Sequence, residues 1–157
     1  MGAGKSAIGR LLAVKTDRTC MDSDSEIVRS TGADIDLIFE KEGEESFRKR
    51  ESWMIEKLSA LDDIVLATGG GAVLNKDNRD FLAKRGKIVY LKASSRQLLE
   101  RTSKDRKRPF LQTNDRLATL EELLRIREPL YMELADIIIK TDDRSIKQVV
   151  DCIIRQT

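Results

Sequence analysis

The chain has 157 residues, the size of one domain at ~100–200 residues each, with 29 basic and 27 acidic side chains and a net charge of +2. Its 40% apolar and 36% charged content excludes a disordered tail. No run approaches the ~20 apolar residues of a membrane span. Two cysteines, Cys20 and Cys152, without metal-type spacing exclude a disulfide scaffold or zinc module. Together with an N-terminus lacking an apolar signal region, they lead us to expect a cytoplasmic protein. Histidine is absent, so imidazole bases and serine–histidine relays are excluded, and acid–base work falls to Asp, Glu, Lys or Tyr.

In chain order, Met1-Gly2-Ala3-Gly4-Lys5-Ser6 leads into a helical pattern over Ala7–Val14. Gly-x-Gly-Lys-Ser at a helix start matches the second half of a P-loop. Its glycines turn backbone N–H groups toward phosphate oxygens, and the helix N-terminus adds positive charge. Lys5 reaches the terminal phosphates and Ser6 supplies a ligand to Mg²⁺. The other reading is a flexible glycine-rich start before an ordinary helix.

A short apolar run, Thr19–Asp22, reads as a buried strand. Asp22-Ser23-Asp24 then puts two carboxylates at its C-terminal end, the edge where α/β sheets bind ligands. They can serve a metal-bound water and a substrate hydroxyl, and Ser23 or Asp24 can cap the helix that follows; the two uses are compatible. Asp34 is expected to cap a short helix with Ile35, Ile38 and Phe39 that Gly43 ends. A longer helix carries Phe47, Met54, Ile55, Leu58 and Leu61. Strand Ile64–Thr68 runs into Gly69-Gly70-Gly71, where missing side chains allow close approach by a ligand; a plain loop is the alternative. Asn75–Arg85 is helical with Gly86 at its stop, Lys87–Leu91 is a strand, and Ser94 or Ser95 opens a helix burying Leu98 and Leu99.

Arg101–Arg108 carries Arg101, Lys104, Arg106, Lys107 and Arg108 against Asp105 alone. Solvated helix surface is the ordinary meaning of such a run. With no aromatic before Phe110, it gives poor support for nucleic-acid binding. A helix over about Leu117–Leu134 contains Pro129, Ile137–Lys140 is a strand, and Ser145 caps a last helix with Ile146, Val149, Val150, Ile153 and Ile154 on one face. Strands alternating with helices argue an α/β fold around a parallel sheet in one domain, residues 1–157.

Taken in order, Gly2-Ala3-Gly4-Lys5-Ser6 with Ile8-Gly9-Arg10, Asp22-Ser23-Asp24, Gly43 through Arg48, Gly69-Gly70-Gly71, Arg108-Pro109 and Arg127-Glu128-Pro129-Leu130-Tyr131 resemble the shikimate kinase family. The resemblance spans nearly the whole chain. It implies a P-loop kinase with strand order 2-3-1-4-5, phosphorylating the 3-hydroxyl of shikimate with ATP and Mg²⁺. Gly2, Ala3, Gly4, Lys5, Ser6 and Ala7 would hold ATP, with Arg101 and Arg144 near the adenine. Ser6 and Asp22 would serve the metal, and Asp24 would bind substrate hydroxyls and act as base. Arg48 and Arg127 would clamp the shikimate carboxylate, with Gly69, Gly70 and Gly71 on the ring hydroxyls. Residues 24–51 would form the substrate segment. Arg108 would close on the phosphates from a lid at about 103–117. Lys5, Asp24 and Arg108 are thus the expected catalytic residues, in a monomer with no nucleic-acid or membrane partner.

The P-loop's first glycine would fall two residues ahead of Met1, so we expect strand 1 of that order to be missing, leaving the strands Ile64–Thr68 and Lys87–Leu91 to flank a gap and impairing folding and phosphate binding. Two other readings remain at this point. One is another small-molecule P-loop kinase; the other is a catalytically impaired nucleotide-binding form.

Overall fold

The computed structural model describes residues 2–102 and 115–157. The elements alternate: α1 (Lys5–Lys15), β1 (Thr19–Asp22), α2 (Ser23–Thr31), α3 (Ile35–Ser59), β2 (Ile64–Ala67), α4 (Lys76–Arg85), β3 (Val89–Lys92), α5 (Ser95–Thr102), α6 (Arg116–Leu134), β4 (Ile137–Lys140) and α7 (Ile146–Ile154). Four short apolar runs, too short for helices, form the strands, and the amphipathic stretches between them cross back over their faces.

All strand pairing is parallel. β1 pairs with β2 from Thr19 opposite Ile64 to Asp22 opposite Ala67, and β3 pairs with β4 from Val89 opposite Ile137 to Lys92 opposite Lys140. These are two separate pairs, β1-β2 and β3-β4. Among the described residues, β2 and β3 each have a ladder on one edge only. Both pairs match the neighbours expected for a 2-3-1-4-5 order.

Three apolar clusters cover these strands. α1 packs on β1, β2 and α7, and Ile8 meets Ile137, Ile139, Val149, Val150 and Ile153. Ala3, Ala93, Leu98 and Leu120 join the α1 entry to α5 and α6. Ile27, Ile38, Phe47, Met54 and Leu58 hold α2 against α3. α1 lies close to the sheet at Gly9, where even an added Cβ would make ordinary van der Waals contact, 3.6 Å from Cys20 Sγ and 3.8 Å from Val65 Cγ1.

Most expected helix boundaries agree with the structure, and two caps differ. Asp22, the last residue of β1, caps α2 by accepting from the N–H groups of Asp24 and Ser25; neither Ser23 nor Asp24 does so. Asp34 occupies the N-cap position of α3, but its side chain makes no capping bond. Gly43 breaks α3 as expected: its φ of 80° and ψ of 173° are non-helical. Left-handed φ favours glycine, which has no Cβ to clash. The Phe39 and Phe47 rings, 4.7 Å apart, pack the two halves together across this break. α6 continues through Pro129. Ser145 caps α7 in a reciprocal box with Gln148.

Candidate active site

The chemistry-bearing residues gather at the C-terminal ends of the parallel strands. Gly2 and Gly4 have φ of 68° and 84°, both left-handed, and Gly4 is the N-cap of α1. This turn aims the first N–H groups of α1, Lys5 and Ser6 at the strand ends, where anionic groups are favoured. Gly2 backs onto α5, where a Cβ would come within 2.8 Å of Thr102 Cγ2.

Ser6 Oγ donates to Asp22 Oδ2 at 2.7 Å, while Asp22 Oδ1 caps α2. A hydroxyl and a carboxylate oxygen beside a phosphate-type loop suit Mg²⁺, which takes one or two protein oxygens and fills its octahedron with water and phosphate. The residues therefore fit the expected metal.

A second cluster lies behind this loop. Arg48 on α3 donates from Nη1 to Glu51 at 2.6 Å, and from Nε and Nη2 to Glu44 at 3.2 and 3.1 Å. Spacings of three and four residues bring all three groups to one helix face. The Glu51 side chain is 1% exposed and the Glu44 side chain 51%. Burial pushes the Glu51 pKa up, and Asp24 adds to this; Arg48 and Arg127 oppose it without cancelling it. Burial also works against the charge on Arg48, but Glu51 and Glu44 outweigh it and raise its pKa. Arg127 on α6 is 6% exposed and close enough to act on both Glu51 and the Tyr131 phenol.

The three glycines after β2 fit into this cluster. A Cβ on Gly71 would overlap the Arg48 guanidinium, and one on Gly69 would lie 2.7 Å from Glu51 Oε1 and 2.9 Å from Asp24 Oδ1. Beside Gly69 and Gly71 the chain's own Glu51, Asp24 and Arg48 side chains fill the space that a Cβ would take. A cavity of about 130 Å³ opens beside the cluster, bordered by Lys5, Gly69, Gly70, Arg127 and Tyr131 and extending between the end of β2 and strand β3.

Arg101 donates to the Thr141 hydroxyl at 3.2 Å and its carbonyl at 2.9 Å. Thr141 follows β4 and begins the loop that carries Arg144, so the two arginines expected near the adenine flank one loop. Arg144 itself is exposed and points a guanidinium N–H at Cys152 Sγ. Ala3 is buried and Ala7 exposed. Arg108, with nearly all of the expected lid, lies outside the described residues.

The structure thus brings Gly2–Ala7, Asp22, Asp24, Arg48, Gly69–Gly71 and Arg127 to one end of the fold. Sequence reasoning missed Glu51, although its i+3 spacing from Arg48 is a readable signal. Tyr131 stood in a quoted motif without a role.

Comparison with known proteins agrees with this geometry. The family profile described as "Shikimate kinase" matches residues 1–157. The shikimate kinase of Thioalkalivibrio sulfidiphilus is 55% identical over 155 residues, which cover 99% of this chain and 82% of that protein. That of Pseudomonas syringae pv. syringae is 55% identical over 150 residues, 96% of this chain and 87% of the other. Among solved structures, shikimate kinase from Acinetobacter baumannii in complex with shikimate superposes with a TM-score of 0.97 at 45% identity, covering 99% of this chain and 87% of that one. The Aquifex aeolicus enzyme gives a TM-score of 0.84 at 31% identity, covering 99% and 89%. With family match, identity and fold in agreement over nearly its full length, the chain belongs to the shikimate kinase family.

Proposed function

We propose that the chain transfers the γ-phosphoryl group of ATP to the 3-hydroxyl of shikimate, giving shikimate 3-phosphate and ADP. The observation that carries this reading is the pairing of a phosphate-type loop, Gly2–Ser6, with a partly buried arginine–carboxylate cluster across the strand ends. Phosphoryl transfer depends mainly on positioning and charge neutralisation, and needs no histidine.

Each residue has a task in this reading. The N–H groups of Gly2–Ala7 and the Lys5 ammonium hold the phosphates. Arg101 and the Arg144 loop lie against the adenine. Ser6 and Asp22 would hold Mg²⁺, which when bound neutralises charge on the phosphates. Arg48 and Arg127 bind the substrate carboxylate through forked, charge-assisted hydrogen bonds, a geometry lysine lacks. Glu44, the exposed partner of Arg48, gives way to that carboxylate, while Glu51 keeps the guanidinium in place. The Gly69–Gly71 backbone contacts the ring hydroxyls. Asp24 takes the proton of the 3-hydroxyl as its oxygen bonds to the γ-phosphorus and the bond to the ADP oxygen breaks. Arg108 then acts on the transferring phosphoryl from the segment 103–117.

The family's strand order also keeps a strand between β2 and β3 as part of this proposal, supported by the separation of the two strand pairs. We take the working form to be a cytoplasmic monomer, which sedimentation velocity tests for mass. Among the described residues, no helix is long and apolar enough to cross a membrane.

An ADP-release assay with an acceptor panel tests the activity. Turnover should depend on shikimate and stay at background with gluconate or a nucleoside monophosphate. Equal rates with all three acceptors would overturn the substrate assignment.

A further inference from the structure

The Gly69–Gly71 loop has no side chains of its own to anchor it, so its position must come from groups outside it. Gly69 N–H donates to Ser23 Oγ at 3.3 Å. Gly71 lies directly against the Arg48 guanidinium. The Gly70 carbonyl accepts a hydrogen bond from Tyr131 Oη, across 61 residues of sequence.

Tyr131 follows Arg127 by four residues on α6, which places both on one helix face. The Arg127 guanidinium lies close enough to the Tyr131 phenol to act on it, and both side chains border the same cavity. A phenol has one proton to donate and lone pairs to accept, so one oxygen can serve both partners only while it is protonated. Burial raises the Tyr131 pKa, which keeps that proton in place. The ring is held by stacking on Tyr90 of β3, with centroids 4.9 Å apart and planes 27° apart. That stack needs the ring but not the hydroxyl.

We propose that Tyr131 is a positioning residue for shikimate, fixing the Arg127 guanidinium and the Gly70 backbone relative to each other through its single phenol oxygen. The carboxylate end and the hydroxyl end of the substrate are then registered by one rigid link from α6 to the loop after β2. The inference rests on reading Arg127 as a carboxylate ligand.

The test is steady-state kinetics on the full chain with Tyr131→Phe, Tyr90→Phe, Arg127→Lys and the Tyr131→Phe/Arg127→Lys double variant, alongside melting temperatures. Tyr131→Phe keeps the stacked ring and removes only the hydroxyl. It should raise the shikimate KM about tenfold, the scale of one hydrogen bond to a charged group, and leave the ATP KM and melting temperature in place. Tyr90→Phe should leave the shikimate KM unchanged, and the double variant should lose less than the product of the singles. An unchanged shikimate KM in Tyr131→Phe would overturn the proposal. So would an equal rise in Tyr90→Phe, or loss of fold or of both KM values together in Tyr131→Phe. If Arg127→Lys leaves the shikimate KM intact, the clamp reading itself fails; if it raises that KM while Tyr131→Phe does not, this inference alone fails.

Discussion

Glu51 is a carboxyl with almost no solvent contact, kept beside two arginines and Asp24. Its raised pKa has a definite sign in the stability of the fold. The neutral form is the one burial favours, so its contribution is fully present below the ordinary carboxylate range and is lost as pH rises through the folded pKa. Glu51→Gln should therefore flatten the fall in melting temperature over the pH units above that range; an unchanged profile would contradict the burial argument. Gly71 gives a second, separable expectation. The atoms nearest a methyl group there belong to the far end of the flexible Arg48 side chain, so Gly71→Ala should fold normally. Because Arg48 must swing out, the shikimate KM should rise by roughly tenfold or more while the ATP KM stays put. Parallel losses for both substrates would mean that the glycine serves the general fold. The family resemblance of the ordered motifs grouped Asp22, Asp24, Arg48 and Arg127, which by residue type alone read as helix caps and surface charges. The sequence could not show that Glu51 and Tyr131 tie this group together, because both are ordinary residues until the chain folds and their partners come from distant segments.

Elements were legible where periodicity and punctuation agree. Gly43 between two apolar patterns, the Ser145 cap and the runs of β1 and β4 all mark boundaries that the structure keeps. The α2 cap differed because Asp22, Ser23 and Asp24 all offer capping side chains, and Asp22 is the one whose backbone is still extended, φ −124° and ψ 117°, just ahead of the helix. β3 begins two residues later than its apolar run suggests. Ile88 there already serves as a loop anchor, its N–H donating to Asp136 and its carbonyl accepting from Asp136 and Ile137. β2 and β3 themselves carry a consequence. A strand supplied between their facing edges would gain ladder bonds on both sides, each worth about 1 kcal/mol net. Fusing such a strand ahead of the P-loop should raise the melting temperature by more than about 5 °C. An equal melting temperature would show that these edges need no partner.

The whole molecule works by bringing two chemistries to one edge of the fold. One side carries the glycine turn and Lys5 that the proposed function assigns to phosphates, with Ser6 and Asp22 joined beside them. The other offers buried Arg127 and half-buried Arg48, the latter paired with Glu51 and Glu44, beside a glycine loop that Tyr131 holds. Family membership accounts for the reaction, and on the proposed function this second cluster reads a carboxylate. The most direct test is calorimetric titration of the unaltered chain and of Arg127→Lys with shikimate and with its uncharged methyl ester. The unaltered chain should bind the acid at least about tenfold more tightly than the ester, since a charge-assisted hydrogen bond is worth ~1.5–3 kcal/mol, and Arg127→Lys should narrow that gap. Equal affinity of the unaltered chain for acid and ester would contradict the account.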